Sequence, residues 1–142
     1  MEVVEACHSI RKEVYVMKLK HDCVRELLLT IEEEIPLNGA LDEEDLLRFD
    51  RMKEYSLDDV IYTTKMLQEA GYIDAKVETA KDGICFIMVK SLTYSGHLFL
   101  DNIRDDGIWK EAKTRVSTMK SVSVDILSEV ASSCVKSMLG LN

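Results

Sequence analysis

A chain of 142 residues, 46% hydrophobic and 31% charged, has room for one domain with a substantial core, or a small domain carrying a helical extension, and two complete domains are not expected. One proline and six glycines exclude a low-complexity chain. A formal charge of −8 favours solubility and, taken alone, opposes nucleic acid and anionic membranes. No apolar run reaches the roughly eighteen residues of a membrane span, and the opening residues carry Glu2, Glu5 and the pair Arg11-Lys12 in place of a signal-peptide apolar stretch. A cytoplasmic protein without a membrane partner is the expectation. The four cysteines, Cys7, Cys23, Cys85 and Cys134, have no Cys-x-x-Cys spacing, so neither a zinc ribbon nor a thioredoxin-like site is expected.

Residues 1–16 show weak periodicity and precede Met17-Lys18-Leu19-Lys20, which would make an ordinary translation start, so they are expected to be an N-terminal extension outside the core. From Lys20 to Glu34, Val24, Leu27, Leu28 and Ile31 stripe an amphipathic helix that Pro36 ends. Its last turn is Glu32-Glu33-Glu34, three acids against the helix dipole, which must fray or find a basic partner. Leu37 to Tyr55 is open to two readings: a short helix capped by Asp42 with Asp45, or an irregular segment with a short strand.

The most legible stretch begins at Ser56. With Asp59 it forms a capping box, and Val60, Thr64, Leu67 and Gly71 share one face of the helix that follows, Gly71 being placed to end it in the left-handed conformation. From Ile73 the period becomes two, and Asp82-Gly83 provides a hairpin turn before a returning strand, Ile84 to Ser91. Thr93 caps another helix with Gly96, Phe99, Leu100 and Ile103 on one face. Ile108, Ala112, Val116 and Met119 stripe a further helix headed by Asp105 or Asp106. The last helix, from about Val124 to Leu139, aligns Leu127, Ala131, Cys134, Met138 and Leu141, with Gly140 as its C-cap.

Helix, short element, helix, hairpin and helix in that order predict a mainly α protein with a small β-hairpin: a winged-helix core, a helix-turn-helix variant, with two C-terminal helices appended and packed on it. The expected organisation is extension 1–16, winged-helix domain 17–104 and helical extension 105–142. The expected core comprises Val24, Leu27, Leu28, Ile31, Val60, Leu67, Ile73, Phe86, Phe99 and Ile103.

Leu92-Thr93-Tyr94-Ser95-Gly96 resembles the Leu-Thr-x-x-Gly that follows the wing in many prokaryotic winged-helix regulators. The string from Leu92 to Asp106, with Trp109 after it, Leu67 to Ile73 before it and Leu139-Gly140-Leu141 at the end, resembles the bacterial and prophage family known as domain of unknown function 2513. The resemblance runs from about Met17 to the C-terminus and implies a winged-helix-like fold without an assigned activity.

In a winged helix the third helix enters the major groove and the wing touches phosphate. The residues available for duplex DNA are Tyr62, Thr63, Lys65 and Met66 on the helix, with Lys76, Lys81 and Lys90 on the hairpin. Against this reading stand Asp58, Asp59, Glu69 and an acidic first half, with eleven acids to six bases over residues 17–55. A strip of Lys110, Lys113, Arg115 and Lys120 reads as ordinary mixed surface. The alternative is a non-catalytic protein-interaction module. In the returning strand Ile84, Phe86 and Met88 alternate with Cys85, Ile87 and Val89, so both faces need cover, from the chain's own helices or from a second subunit, and a homodimer is expected. Catalysis is not expected: His8, His21 and His97 are far apart, no phosphate-cradling glycine loop occurs, and Asp101, Asp105, Asp106 and Glu111 lack the spacing of an EF-hand cation loop, so no metal or cofactor is expected.

Overall fold

The computed structural model describes residues 16–80 and 83–141, residues 83–85 by their backbone alone. The chain divides into two compact units, one running through Gly96 and one beginning at His97. Among the described residues the first unit contains helix α1 (His21–Glu34), strand β1 (Leu41–Asp42), short helix α2 (Glu43–Leu47), a 3-10 turn (Asp50–Met52), helix α3 (Leu57–Ala70) and strands β2 (Ile73–Ala80) and β3 (Gly83–Leu92). Helix α4 (Tyr94–Ile103) starts there and continues into the second unit, which holds α5 (Asp106–Arg115) and α6 (Val124–Met138). The fold is thus mainly helical with a small antiparallel sheet, and its element order is compatible with a winged helix.

The sheet has the order β1-β3-β2, all antiparallel. Both readings of Leu37 to Tyr55 are realised together, because Asp42 ends the strand and caps the helix. Its side chain accepts from Asp45 N–H at 2.8 Å, and its own N–H donates to Asp45 Oδ2 at 3.2 Å. β1 pairs Leu41 with Val89 and Asp42 with Met88, so Glu43 would stand opposite Ile87 had the strand continued. The chain turns into α2 instead, and the Glu43 carboxylate takes over, accepting the Ile87 N–H at 2.8 Å in a buried site. A side chain thereby completes a ladder that the backbone has left. Burial raises the pKa of this carboxyl, only partly offset by the Ile87 hydrogen bond.

Leu27, Leu28 and Ile31 of α1, Leu46, Met52, Val60 and Leu67 of the elements that follow, and Ile73, Ile87 and Val89 of the sheet are buried. Phe86 is the exception to the expected core. It is 42% exposed and its neighbour Met88 40%, because the inward positions of β3 belong to Ile87 and Val89. β3 also contains two irregularities: its partners on β2 jump from Ser91 to Val89 between Asp74 and Ala75, and from Phe86 to Ile84 between Glu78 and Thr79. The inserted residues are therefore Lys90 and Cys85. Ala80 pairs with Gly83, so the expected Asp82-Gly83 turn falls partly outside the described residues, and Gly83 is already in the strand.

α3 has the predicted ends. Ser56 and Asp59 exchange two capping hydrogen bonds of 3.1 Å. Gly71 has φ +83°, and Tyr72 N–H donates to Leu67 O at 3.0 Å, closing a Schellman motif. That turn holds the start of α4. Tyr72 O accepts from Thr93 N–H at 3.0 Å, Thr93 Oγ1 donates to Gly71 O, and the same hydroxyl accepts from Gly96 N–H at 3.0 Å. A Cβ on Gly96 would lie 1.9 Å from Tyr72 O, so no side chain fits there.

In the second unit Leu100, Ile103, Ile108, Trp109, Ala112, Leu127, Ala131 and Cys134 are buried, α5 packs on α6, and Asn102 Nδ2 donates to Ser128 Oγ at 3.3 Å. Asp105 caps α5 through Ile108 N–H at 2.9 Å. The α5 stripe stops early: Met119 is 62% exposed, because the chain leaves the helix where Ser117 donates its hydroxyl and its N–H to Thr114 O. The α6 stripe likewise ends at Cys134, leaving Met138 and Leu141 exposed beside the Gly140 cap, φ +74°.

Two outcomes test this account. Gly96→Ala must push α4 off the Tyr72 carbonyl, and chemical denaturation should show a loss of at least ~1–3 kcal/mol, the usual range for overpacking; an unchanged midpoint would contradict the close approach. Glu43 has a folded pKa above its ordinary value, so its contribution is greatest in acid and is lost as pH rises through the folded value. Glu43→Gln keeps an acceptor for Ile87 without the charge. It should therefore melt above the wild type at neutral pH, with the difference closing on acidification; thermal melts at a series of pH values measure this.

Candidate nucleic-acid interface

The first half carries its acids in an orderly way. The end of α1 has its basic partner in Arg51, whose Nε and Nη2 meet the two oxygens of Glu33 at 3.1 Å each while Nη1 reaches Glu26 Oε2 at 3.2 Å. This two-pronged geometry suits a guanidinium and raises the pKa of Arg51, the Glu33 hydrogen bond contributing most. Asp42 and Asp45 cap α2, and Glu43 is buried against the sheet. Asp59, 5% exposed at its side chain, receives Lys20 Nζ at 3.0 Å as well as its capping hydrogen bond. Asp59 thus acts in the fold and is not the surface charge on α3 expected to oppose DNA.

The predicted contact residues separate into groups. Tyr62, Lys65 and Met66 are half-buried on one side of α3 and remain within reach of a partner. Thr63 is not with them. It is 2% exposed and its hydroxyl donates to Cys23 Sγ at 3.4 Å, so it belongs to the α1–α3 core. Thr63 lies on the flank of the Val60, Thr64 and Leu67 stripe opposite to Ile61, and α1 covers that flank. Burial pushes the Cys23 thiol up to about 11, which keeps it protonated and unreactive.

Lys65 pairs with Glu69 one turn on, which offsets its charge. On the hairpin, Lys76 is exposed with Glu78 at 3.9 Å, and Lys90 is exposed at the irregularity in β3. Lys81 lies outside the described residues. The structure therefore places Lys65, Tyr62 and Met66 together on α3, and Lys90 and Lys76 on the exposed face of the sheet. Phe86 and Met88 share that face, with Glu78 opposite Phe86 and Lys76 opposite Met88. Phe86, expected in the core from the sequence, alternates with Ile87 and Val89, and alternation alone does not say which of the two sets faces inward.

Among the described residues no group of three or more His, Cys, Asp or Glu side chains is placed to hold a metal, and no helix is long and apolar enough to cross a membrane. The cavity beside the Arg51 cluster, about 490 Å³, is lined by Thr30, Glu34, Arg48, Phe49, Asp50 and Arg51; Arg48 and Arg51 already engage carboxylates.

Residues 18–123 match the family model described as "Hypothetical protein (DUF2513)". An uncharacterized protein of Haemophilus influenzae is 31% identical over 124 residues, covering 87% of this chain and 99% of that protein. No solved structure matches.

Proposed function

Since the chain belongs to the DUF2513 family, we propose from its own surface that it is a non-catalytic winged-helix protein that binds duplex DNA in a transcription-associated role. The observation that carries the reading is the succession of a capped fourteen-residue α3 with Tyr62, Lys65 and Met66 half-exposed and a β2–β3 hairpin bearing exposed Lys90. Helix and hairpin stand in the order that puts a recognition helix beside a wing. The charge objection weakens once the acids are located: Glu26, Glu33, Asp42, Glu43, Asp45 and Asp59 are engaged by bases, caps or the sheet edge. Tyr62 and Met66 offer apolar contact to base edges, and Lys65 offers phosphate contact by exchanging Glu69 for the DNA backbone.

A second reading, a protein-interaction module on the same scaffold, is favoured by one observation, the exposed pair Phe86 and Met88 on the outer face of the sheet. The two readings differ in salt dependence. Fluorescence anisotropy with duplex genomic fragments should show affinity falling steeply with salt, and Lys65→Ala and Lys90→Ala should each flatten the log–log slope by about 0.9, one phosphate contact. Absence of binding at low salt would overturn the DNA reading.

A further inference from the structure

Among the described residues β2 is the outer strand of the sheet, since β3 pairs with it on one side and with β1 on the other. The two edges are treated differently. Where β1 gives out, Glu43 closes the β3 edge by taking the Ile87 N–H. Among the described residues β2, eight residues long, has no such cover: it contains no proline, and both inserted residues of the ladder belong to β3, so β2 itself runs without a bulge. An open edge of this length offers a row of unpaired backbone groups as a template for pairing with another chain. The usual deterrent is a charge in the middle of the strand, and Lys76 stands there, exposed.

That deterrent is cancelled by the strand's own sequence. Two copies of a strand paired antiparallel about a two-fold axis at residue n place n−1 of one copy opposite n+1 of the other. About Val77, Lys76 faces the partner copy's Glu78 and Glu78 faces its Lys76. Val77 meets its own equivalent on the inner side. About Lys76 the same operation sets Lys76 against itself and Asp74 against Glu78, which repels. A register about Ala75 pairs Asp74 with Lys76 but engages a shorter part of the strand. Lys76 and Glu78 are also the residues opposite Met88 and Phe86 on β3, so the cross-strand ion pairs would lay their aliphatic stems beside the exposed apolar pair. Within one copy Lys76 and Glu78 are only loosely paired, at 3.9 Å with side chains 74% and 46% exposed, and both are available to a partner.

We propose that the β2 edge is the docking surface for a second copy of this chain, joined antiparallel about Val77 with Lys76 and Glu78 fixing the register. The inference stands apart from the DNA reading, which is carried by Tyr62, Lys65, Met66 and Lys90; Lys76, also a candidate for phosphate contact, would be engaged by the partner copy's Glu78 in the dimer.

Sedimentation velocity over a wide concentration range, with charge-reversed variants, tests it. The wild type should show a concentration-dependent dimer. Lys76→Glu and Glu78→Lys alone should each raise the dissociation constant about tenfold, because each sets like charges opposite one another twice across the symmetric interface. The double reversal should restore the wild-type value. Under a register about Ala75 it would instead leave Asp74 facing a glutamate. Val77→Cys should form a disulfide between copies at residue 77, directly opposed Cα atoms being about 4.5–5.5 Å apart and so within disulfide reach, whereas Ala75→Cys should not. A monomer at every concentration, or a dimer indifferent to the single reversals, would overturn the proposal.

Discussion

Two consecutive carbonyls, Gly71 O and Tyr72 O, hold one corner of the first unit together. Gly71 takes the left-handed conformation that ends α3, and the turn presents Gly71 O and Tyr72 O to the residues leaving the hairpin. Thr93 answers both. Its N–H binds Tyr72 O and its hydroxyl binds Gly71 O, while the same hydroxyl accepts the Gly96 N–H and so starts α4. Gly96 then approaches Tyr72 O more closely than any Cβ permits. The end of α3, the end of β3 and the start of α4 are therefore fixed to one another by two consecutive carbonyls, which sets the angle at which the hairpin leaves the helix. If α3 and the hairpin act together on a partner, their relative geometry is decided at this corner and not at the surface that meets the partner.

Electrostatics enter as a second constraint. A chain with net charge −8 must place its acids where they are neutralised or useful, and the first unit does both. Arg51 holds the acidic end of α1 to the 3-10 turn, Lys20 ties the segment before α1 to the capping carboxylate of α3, and Asp42 with Asp45 turns the chain from strand to helix. Glu43 has the unusual assignment, a carboxylate used as if it were the carbonyl of the next residue in a strand.

Local rules made most of the helix ends legible. The Ser56–Asp59 box, the Gly71 and Gly140 terminators and the Thr93 cap depend on neighbours within a few residues and are found as predicted, and of the two candidates Asp105 and Asp106 the structure selects Asp105 as the cap. The acidic run at Glu32 to Glu34 announced a need for a base, but its partner, Arg51, lies far along the chain and no periodicity points to it. The candidate surface was legible in part for the same reason. Tyr62, Lys65 and Met66 followed from the helical stripe; the burial of Thr63 depends on where α1 packs. Phe86 was misplaced because Ile87 and Val89 fit the inward face equally well by alternation, and the choice between the two sets is made by pairing with β2 and β1.

The claim on which this account turns is that the Gly71–Tyr72 corner is part of the cooperative core and not a loose junction. Native-state hydrogen exchange reads it directly at the amides of Tyr72, Thr93 and Gly96. The account predicts that all three exchange only through global unfolding, with the protection of buried β3 amides such as Val89. Rapid exchange at Thr93 and Gly96 while Val89 stays protected would contradict it.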